Sequence, residues 1–535
     1  MEWIAPYQKD ETTSALEDRL WKTADQLRAN SGLTAAQYSG PVLGLIFLRF
    51  ADVRFQAKRK ELEKEGGSSR RRSPAEDPQA YIAAGVIYLP ESARFETLLN
   101  LPEGTDLGKA VNEAMTAVEK ANESLQGILP QGYQNYENAT LAELLKMVSS
   151  IPEDMAGDAI GKVYEYFLSS FAMAEGQLGG EFYTPSAIVE LMVEILEPYH
   201  GLILDPACGS GGMFVQSARF VSRHKKNPSK EISIYGQELK DLAIPIARMN
   251  LAVHGLEGDI RKENSYYDDL HKSTGRFDFV LANPPFNVNA VDKDRLKTEV
   301  GANKRYPLGL PRVDNGNYLW IQMFYSALNK KGRAGFVMAN SASDARASEM
   351  ELRKTLIEDG AVDVMVAVGP NMFYTVTLPC TLWFLDRGKK GTKRADTVLF
   401  LDARHIYRQI DRAHRDWTEG QIGFLANVVR LYRGDKADYS LGGKEAEEKI
   451  KEVFGKKPAY ADLAGLCKVA SVSEIAEQGY SLNPGRYVGV AAGEEMDEDD
   501  FKERFAALHA EFEELTKQAH SLEKVISKNA KEILG

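Results

Sequence analysis

Two short stretches, "ILDPACGSGGMF" at 203–214 and "FVLANPPFNV" at 279–288, constrain the fold more than anything else in the chain. Each runs an apolar segment into a turn of residues that no helix or sheet interior favours. A strand ending in Asp205 and passing through Pro-Ala-Cys-Gly-Ser-Gly-Gly into a helix resembles the glycine-rich turn of a doubly wound α/β fold, where small residues let a ligand approach the backbone. The flanking texture agrees. Apolar runs at 202–205, 232–238, 277–283, 333–339, 362–368 and 380–386 alternate with helical stretches, which predicts a mostly parallel sheet covered on both faces. A short loop with Gly369 and Pro370 joins the last two runs, too little for a crossover helix, so that pair is expected to be antiparallel.

Three ligand classes compete for the glycine turn. A phosphate-binding P-loop needs a Lys after its glycines, and none follows here. A dinucleotide turn needs GxGxxG, a register that Gly209, Ser210, Gly211 and Gly212 do not give. S-adenosylmethionine needs a tight backbone turn and an acid for its phosphate-free amino-acid end, and Asp205 suits that role; a purely structural turn is the other reading. The next run ends at Glu238, where a carboxylate can accept hydrogen bonds from both ribose hydroxyls. Asn264 stands where a third strand should end, either against the cofactor adenine or as a simple loop residue.

The Asn-Pro-Pro-Phe turn answers a particular chemical problem. An exocyclic amine on a nucleobase is a poor nucleophile because its lone pair is delocalised into the ring. The amide oxygen of Asn283 and the carbonyl of Pro284 can each accept one of its N–H groups and direct electron density toward a methyl sulfonium. Pro284 and Pro285 lock the backbone without a competing donor, and Phe286 offers an aromatic face to an extracted base. The attack creates a cationic amine that loses its proton easily, so catalysis reduces to positioning and charge stabilisation. The bland alternative is an ordinary Pro-Pro turn; the order of glycine loop, acid and turn along one chain argues against it.

At 535 residues the chain holds two or three domains. Residues 1–155 read as helical, 156–410 as the α/β catalytic domain, 411–490 as a helical or irregular extension, and 491–535 as a coiled-coil-like tail. In that tail Phe501, Phe505, Leu508, Phe512, Leu515, Ala519, Leu522, Ile526, Asn529 and Ile533 alternate spacings of four and three, a heptad seam that needs either a partner helix or a fold-back onto its own protein. The net charge of −11 gives no overall basic surplus for holding a duplex alone; the densest basic run, "SSRRRS" at 68–73, lies in a Gly/Ser stretch that reads as a solvated loop. Cys208, Cys380 and Cys467 have no CxxC or disulfide spacing, so neither a metal site nor a disulfide framework is expected. No window approaches a membrane span, and the acidic start lacks a secretory pattern, which predicts a cytoplasmic protein.

Taken together the segments resemble the modification subunits of type I restriction-modification systems, which are DNA adenine-N6 methyltransferases. The resemblance is carried by "GKVYEYFL" with "GGEFYTP", "DPACGSGG", "NPPF", "GNYLWIQMFYSALNKKGRAGFVMAN" and "SLNPGRYVG", and covers nearly the whole chain. It implies an S-adenosylmethionine-dependent methyltransferase fold: a doubly wound, seven-stranded, mostly parallel sheet with its last strand inserted antiparallel, an N-terminal all-helical domain and a C-terminal helical tail. It implies that Glu181, Phe182, Tyr183, Thr184 and Pro185 close over the cofactor's methionine end. Gly209 and Gly211, with Ser210 between them, would face the cofactor, and Phe373 or Tyr374 would give the base a second aromatic wall. It further implies a separate specificity subunit that reads DNA sequence, a second copy of this chain in the complex, a restriction subunit with motor and nuclease activity, and an N-terminal domain that helps embrace DNA through Arg70–Arg72. Asn-Pro-Pro-aromatic turns also serve cytosine-N4 and protein-glutamine methyltransferases. A cytosine enzyme more often has Ser before the prolines, so Asn283 favours adenine; a glutamine enzyme would be much shorter, and a non-catalytic scaffold would have no use for Asn283, Pro284 and Phe286 together.

Overall fold

The computed structural model describes residues 1–5, 13–33, 35–65, 74–152, 159–175, 183–373, 378–411 and 414–490, together with scattered positions from 505 to 529. Twelve strands occur among them: β1 (Trp3–Ala5), β2 (Gly201–Asp205), β3 (Ile232–Glu238), β4 (Gly258–Lys262), β5 (Phe277–Ala282), β6 (Leu328–Ala339), β7 (Val362–Val368), β8 (Cys380–Asp386), β9 (Thr397–Asp402), β10 (Ile406–Gln409), β11 (Arg415–Asp416) and β12 (Cys467–Ser471).

Nine of these form one sheet in the order β12-β9-β7-β8-β6-β5-β2-β3-β4. The seven strands from β4 across to β7 are the expected doubly wound core, with β8 antiparallel to both β6 and β7. Two strands extend that core beyond the expected seven. β9 adds parallel to β7, and β12 antiparallel to β9. The extension is hard to see in sequence because β12 arrives some sixty residues after its partner, behind two helices. β7 and β8 are buried at every position, as strands covered on both faces must be.

One side of the sheet packs helices Ser186–Leu196 and Gly212–Arg223 together with helix Glu419–Arg433, and the other packs helix Asn317–Ala327 and helix Ser348–Glu358. Helix Glu419–Arg433 opens with a reciprocal cap between Thr418 and Gln421 and ends on Gly434 at a φ of 82°, so both ends satisfy their backbone groups. Its Arg433 reaches the buried Asp363 at 3.0 Å, where Arg394 also lies. Burial pushes the Asp363 carboxyl up, but the two guanidinium groups outweigh it and hold it below the usual range.

The N-terminal helices Thr13–Ser31, Ala35–Glu65, Leu107–Ala121 and Asn138–Ser149 share a separate core. Helix Ala159–Glu175 lies on the catalytic side of the expected 155/156 boundary, yet its Val163, Tyr164, Phe167 and Phe171 are buried in that N-terminal core. Met249 and Val253 of helix Ala243–Val253 join the same core, so the helical region is docked on the catalytic one. The expectation of an all-helical N-terminus needs one correction: β1 pairs in parallel with β10, four hundred residues away, in a small three-stranded sheet. Three residues are too few to show a strand period, and their partner is not local. Arg70–Arg72 lie outside the described residues. No described helix is long and apolar enough to cross a membrane.

Described tail positions from Phe505 to Asn529 are helical, and Phe505, Phe512, Leu522 and Ile526 are all more than half exposed. Phe501, Leu508, Leu515 and Ile533 of the expected seam lie outside the described residues.

On helix Ser186–Leu196, Glu190 and Glu194 share the single Arg223, with Glu190 at 3.0 Å. Burial pushes the Glu190 carboxyl up to about 7, against the pull of Arg223 and with the Glu419 charge adding to the rise. A folded-state value above the ordinary 4.5 means that the native state binds the extra proton, so this contribution to stability is full below 4.5 and is lost as pH rises through about 7. Glu190→Gln, which mimics the protonated form, should therefore gain stability over the native chain by roughly 1–3 kcal/mol between about pH 5 and about pH 8. Urea midpoints at the two pH values measure it.

Candidate active site

β2 and β5 are adjacent parallel strands, with Ile203 opposite Phe279 and Leu204 opposite Val280. From β2 the chain winds outward through β3 and β4; from β5 it winds the other way through β6. The gap between them is the switch point of the sheet, where a crevice opens at the carboxyl ends of the strands. Both singled-out turns emerge there. The glycine loop leaves β2 and the Asn-Pro-Pro-Phe turn leaves β5.

The crevice, about 20 Å³ in volume, is lined by Tyr183 and Thr184, by Asp205, Ala207, Cys208, Gly209, Ser210, Gly212 and Met213, and by Asn283. Gly209 and Gly211 have φ of 48° and 77°, conformations that favour glycine, and a Cβ on Gly212 would project into open space within the crevice. The Ser210 carbonyl is held by the buried Asn250 Nδ2 at 2.9 Å.

Asp205 ends β2 and Glu238 ends β3, and three of their four carboxylate oxygens accept backbone N–H groups. Asp205 Oδ1 accepts from the Ala207 N–H at 2.9 Å. Burial pushes its carboxyl well above the usual range, the Ala207 N–H pulls the other way, and the Glu238 charge adds to the rise. Glu238 Oε2 accepts from the Gly209 N–H at 2.9 Å, and its Oε1 from the Leu239 and Lys240 N–H groups at 2.8 and 2.9 Å. A carboxylate offers about four lone-pair sites, so Glu238 keeps capacity for a hydroxyl beyond these three. Asn264 is used locally: its Oδ1 accepts from the Tyr266 N–H at 3.0 Å and shapes the turn after β4.

Asn283 carries the most informative geometry. Its Nδ2 donates to Thr184 Oγ1 at 3.0 Å, while its Oδ1 is buried without a hydrogen-bond partner. Pro284 is buried, Pro285 exposed, and Phe286 half-buried. Phe286 and Phe373 pack against the same apolar core. Pro185 is buried at the start of helix Ser186–Leu196, whereas Glu181, Phe182 and Tyr374 lie outside the described residues. Among the described residues, no cluster of His, Cys, Asp and Glu could hold a metal ion.

Sequence reasoning missed the clamp behind the turn. Asn287, at a φ of 53°, donates its N–H to Asn317 Oδ1 at 2.8 Å and accepts from Asn315 Nδ2 at 3.0 Å and Asn317 Nδ2 at 2.9 Å. The signal was present in the asparagines of "PPFN" and "DNGN", since Asn tolerates the left-handed region and bonds nearby backbone. "SLNPGRYVG" is likewise a strap: Leu482, Tyr487 and Val488 are buried against the sheet, with the Tyr487 ring stacked 3.9 Å from Phe400.

The fold and the crevice define a doubly wound transferase of the Asn-Pro-Pro-Phe kind. Comparison with known proteins gives the family. The N-6 DNA Methylase family matches residues 155–496, and the HsdM N-terminal domain family matches residues 16–148. The chain is 36% identical to the type I restriction enzyme MjaIX methylase subunit of Methanocaldococcus jannaschii over 545 positions, covering 98% of this chain and 92% of that one. It is also 36% identical to the HindI methylase subunit of Haemophilus influenzae, covering 82% and 98% of the two chains. In fold it is similar to a type I methyltransferase subunit from Streptococcus thermophilus, with a TM-score of 0.70 at 23% identity over 90% of this chain and all of the other. The chain belongs to the methylase subunits of type I restriction enzymes, and it is an adenine-specific N6 DNA methyltransferase.

Asn317 is 3% exposed, and Asn317→Ala would strand the Asn287 N–H. The variant should lose about 1–3 kcal/mol of stability. Because the loss falls on the loop carrying Asn283, its methylation rate should drop at least ~10-fold. Thermal unfolding and single-turnover methylation read the two effects separately.

Proposed function

We propose that this chain is the modification subunit of a type I restriction-modification complex, and that it transfers the methyl group of S-adenosylmethionine to the N6 amine of an adenine flipped out of duplex DNA. The observation that carries this is the buried, unpartnered Oδ1 of Asn283 at the mouth of the glycine-loop crevice. A buried acceptor without a donor costs about 1–3 kcal/mol unless a ligand completes it, and an exocyclic amine is such a ligand.

The crevice residues suit this cofactor. None of the lining residues is a Lys or Arg, and the two acids Asp205 and Glu238 meet at the loop, which favours a cationic ligand over a phosphate. Bound there, S-adenosylmethionine supplies an electrophilic methyl on a sulfonium. Glu181, Phe182, Tyr183, Thr184 and Pro185 would close over its amino-acid end, Asp205 and the loop from Gly209 to Gly211 would receive that end, and Glu238 would take the ribose. Asn264 shapes the turn beside the adenine. Asn283 Oδ1 and the Pro284 carbonyl each accept one N–H of the target amine and hold its lone pair toward the crevice, Pro285 fixes the turn, and Phe286 stacks on the base with Phe373 or Tyr374 opposite. The methylated amine is cationic and releases its proton without a strong base.

Assembly follows the division into residues 1–155, 156–410, 411–490 and 491–535. The exposed Phe505, Phe512, Leu522 and Ile526 support docking of the tail on the helices of a specificity subunit that chooses the target. A second copy of this chain and a restriction subunit complete the complex, and the N-terminal domain closes on DNA. A solved structure of similar fold, with a TM-score of 0.56 over 97% of this chain, comes from work on complex assembly and conformational transition of the type I system, and is in keeping with that arrangement.

The test is methyl transfer from labelled S-adenosylmethionine to duplex DNA by the chain co-purified with its specificity subunit. Asn283→Ala should lower the single-turnover rate by about 10²–10³, the usual cost of removing one charge-stabilising contact. Unchanged incorporation would refute the assignment.

A further inference from the structure

Asn283 can present its two ends in either of two orientations of nearly the same shape, and only one of them works. With Oδ1 toward the target, the amide accepts an N–H of the amine; flipped by half a turn, it presents its own N–H groups to another donor. The choice is made by whatever bonds the far end of the amide. Here that is Thr184, whose Oγ1 accepts from Asn283 Nδ2 at 3.0 Å across ninety-nine residues of sequence, leaving Oδ1 buried and unpartnered.

A hydroxyl by itself could tolerate both orientations, since it can donate as well as accept. What removes the ambiguity is the destination of its own proton. Resting on the reading above, in which Tyr183, Thr184 and Pro185 cover the amino-acid end of the methyl donor, the carboxylate of that end would be the acceptor for the Thr184 O–H. Once that O–H is donated, the oxygen has lone pairs and no proton left for Asn283. It must then receive from Nδ2.

The position of Thr184 is itself set from two directions. Pro185 is buried where helix Ser186–Leu196 begins, and Tyr183 packs against the N-terminal helical core while also lining the crevice. The hydroxyl is thus supported by the domain expected to close on DNA as well as by the catalytic sheet.

We propose that Thr184 is a positioning residue for the target amine: it fixes the orientation of the Asn283 amide, and it does so most firmly when the methyl donor is bound. Donor occupancy and readiness to accept adenine are then linked through one hydroxyl.

The experiment compares Thr184→Val, which keeps the shape and removes the hydroxyl, with Thr184→Ser, which keeps the hydroxyl. Both are assayed in the complex with the specificity subunit, at saturating donor and DNA. Three quantities are read: the single-turnover methylation rate, the affinity for S-adenosylmethionine by calorimetry, and the fluorescence of 2-aminopurine at the target base as a measure of flipping. Thr184→Val should slow methyl transfer by ~10- to 100-fold, leave the flipping signal at the native level, and weaken donor binding by no more than ~10-fold, the scale of one hydrogen bond. Thr184→Ser should recover most of the rate. Added to Asn283→Ala, Thr184→Val should cost little further rate, because the amide it orients is gone. A native rate in Thr184→Val, an equal loss in Thr184→Ser, or a full additional loss in the double variant overturns the proposal. The wider functional reading fails separately, through native activity in Asn283→Ala alone.

Discussion

The side-by-side pairing of β2 with β5 is the constraint on which the rest depends. Parallel neighbours lie about 4.8 Å apart, so two turns leaving their carboxyl ends must meet, whatever the number of residues between them in sequence. The register of that pair is held at its other end by Asp278. Its Oδ2 accepts from the Leu202 N–H at 2.8 Å and its Oδ1 from Asn329 Nδ2 at 2.8 Å, which ties β2, β5 and the start of β6 together. Gly201, at a φ of 121°, leaves room for this contact; a Cβ there would stand 2.5 Å from the Asp278 carboxylate. A slip of one residue would turn Asp205 and Asn283 to opposite faces.

Around that pairing, the crevice is built to be incomplete. Asp205 is buried with its carboxyl pushed upward, Glu238 lies over Gly209, and Asn283 Oδ1 has no partner. The buried Asp205 carboxyl and the unpartnered Asn283 Oδ1 each cost folding stability, whereas Glu238 is satisfied by three backbone N–H groups. Asn250 grips the Ser210 carbonyl from a helix whose Met249 and Val253 are embedded in the N-terminal core, and the Asn287, Asn315 and Asn317 clamp fixes the turn from behind.

The same logic of incompleteness applies at the outer surface. A chain of net charge −11 carries no basic surplus of its own, and its described tail residues Phe505, Phe512, Leu522 and Ile526 leave apolar surface uncovered. The strap from Tyr480 to Val488 shows a different use of a segment quoted for its resemblance. Its Tyr487 stacks on Phe400 of β9, so it secures the extended edge of the sheet far in sequence from either turn.

Local grammar is readable along the chain: the strands β2, β3, β5, β7 and β8, the antiparallel insertion of β8, the glycine loop, and the turn that follows β5. These are legible because side-chain period and turn chemistry act over a few residues. Contacts between distant segments set the rest: β9 and β12 lengthen the sheet, β1 pairs with β10, and helix Ala159–Glu175 packs with the N-terminal core, while Asn264 Oδ1 accepts locally from the Tyr266 N–H. Tertiary structure alone placed Thr184 on Asn283. A hydrogen bond between residues ninety-nine apart leaves no periodic trace in the chain, because its existence depends on how two loops approach in space and on nothing that either loop contains alone.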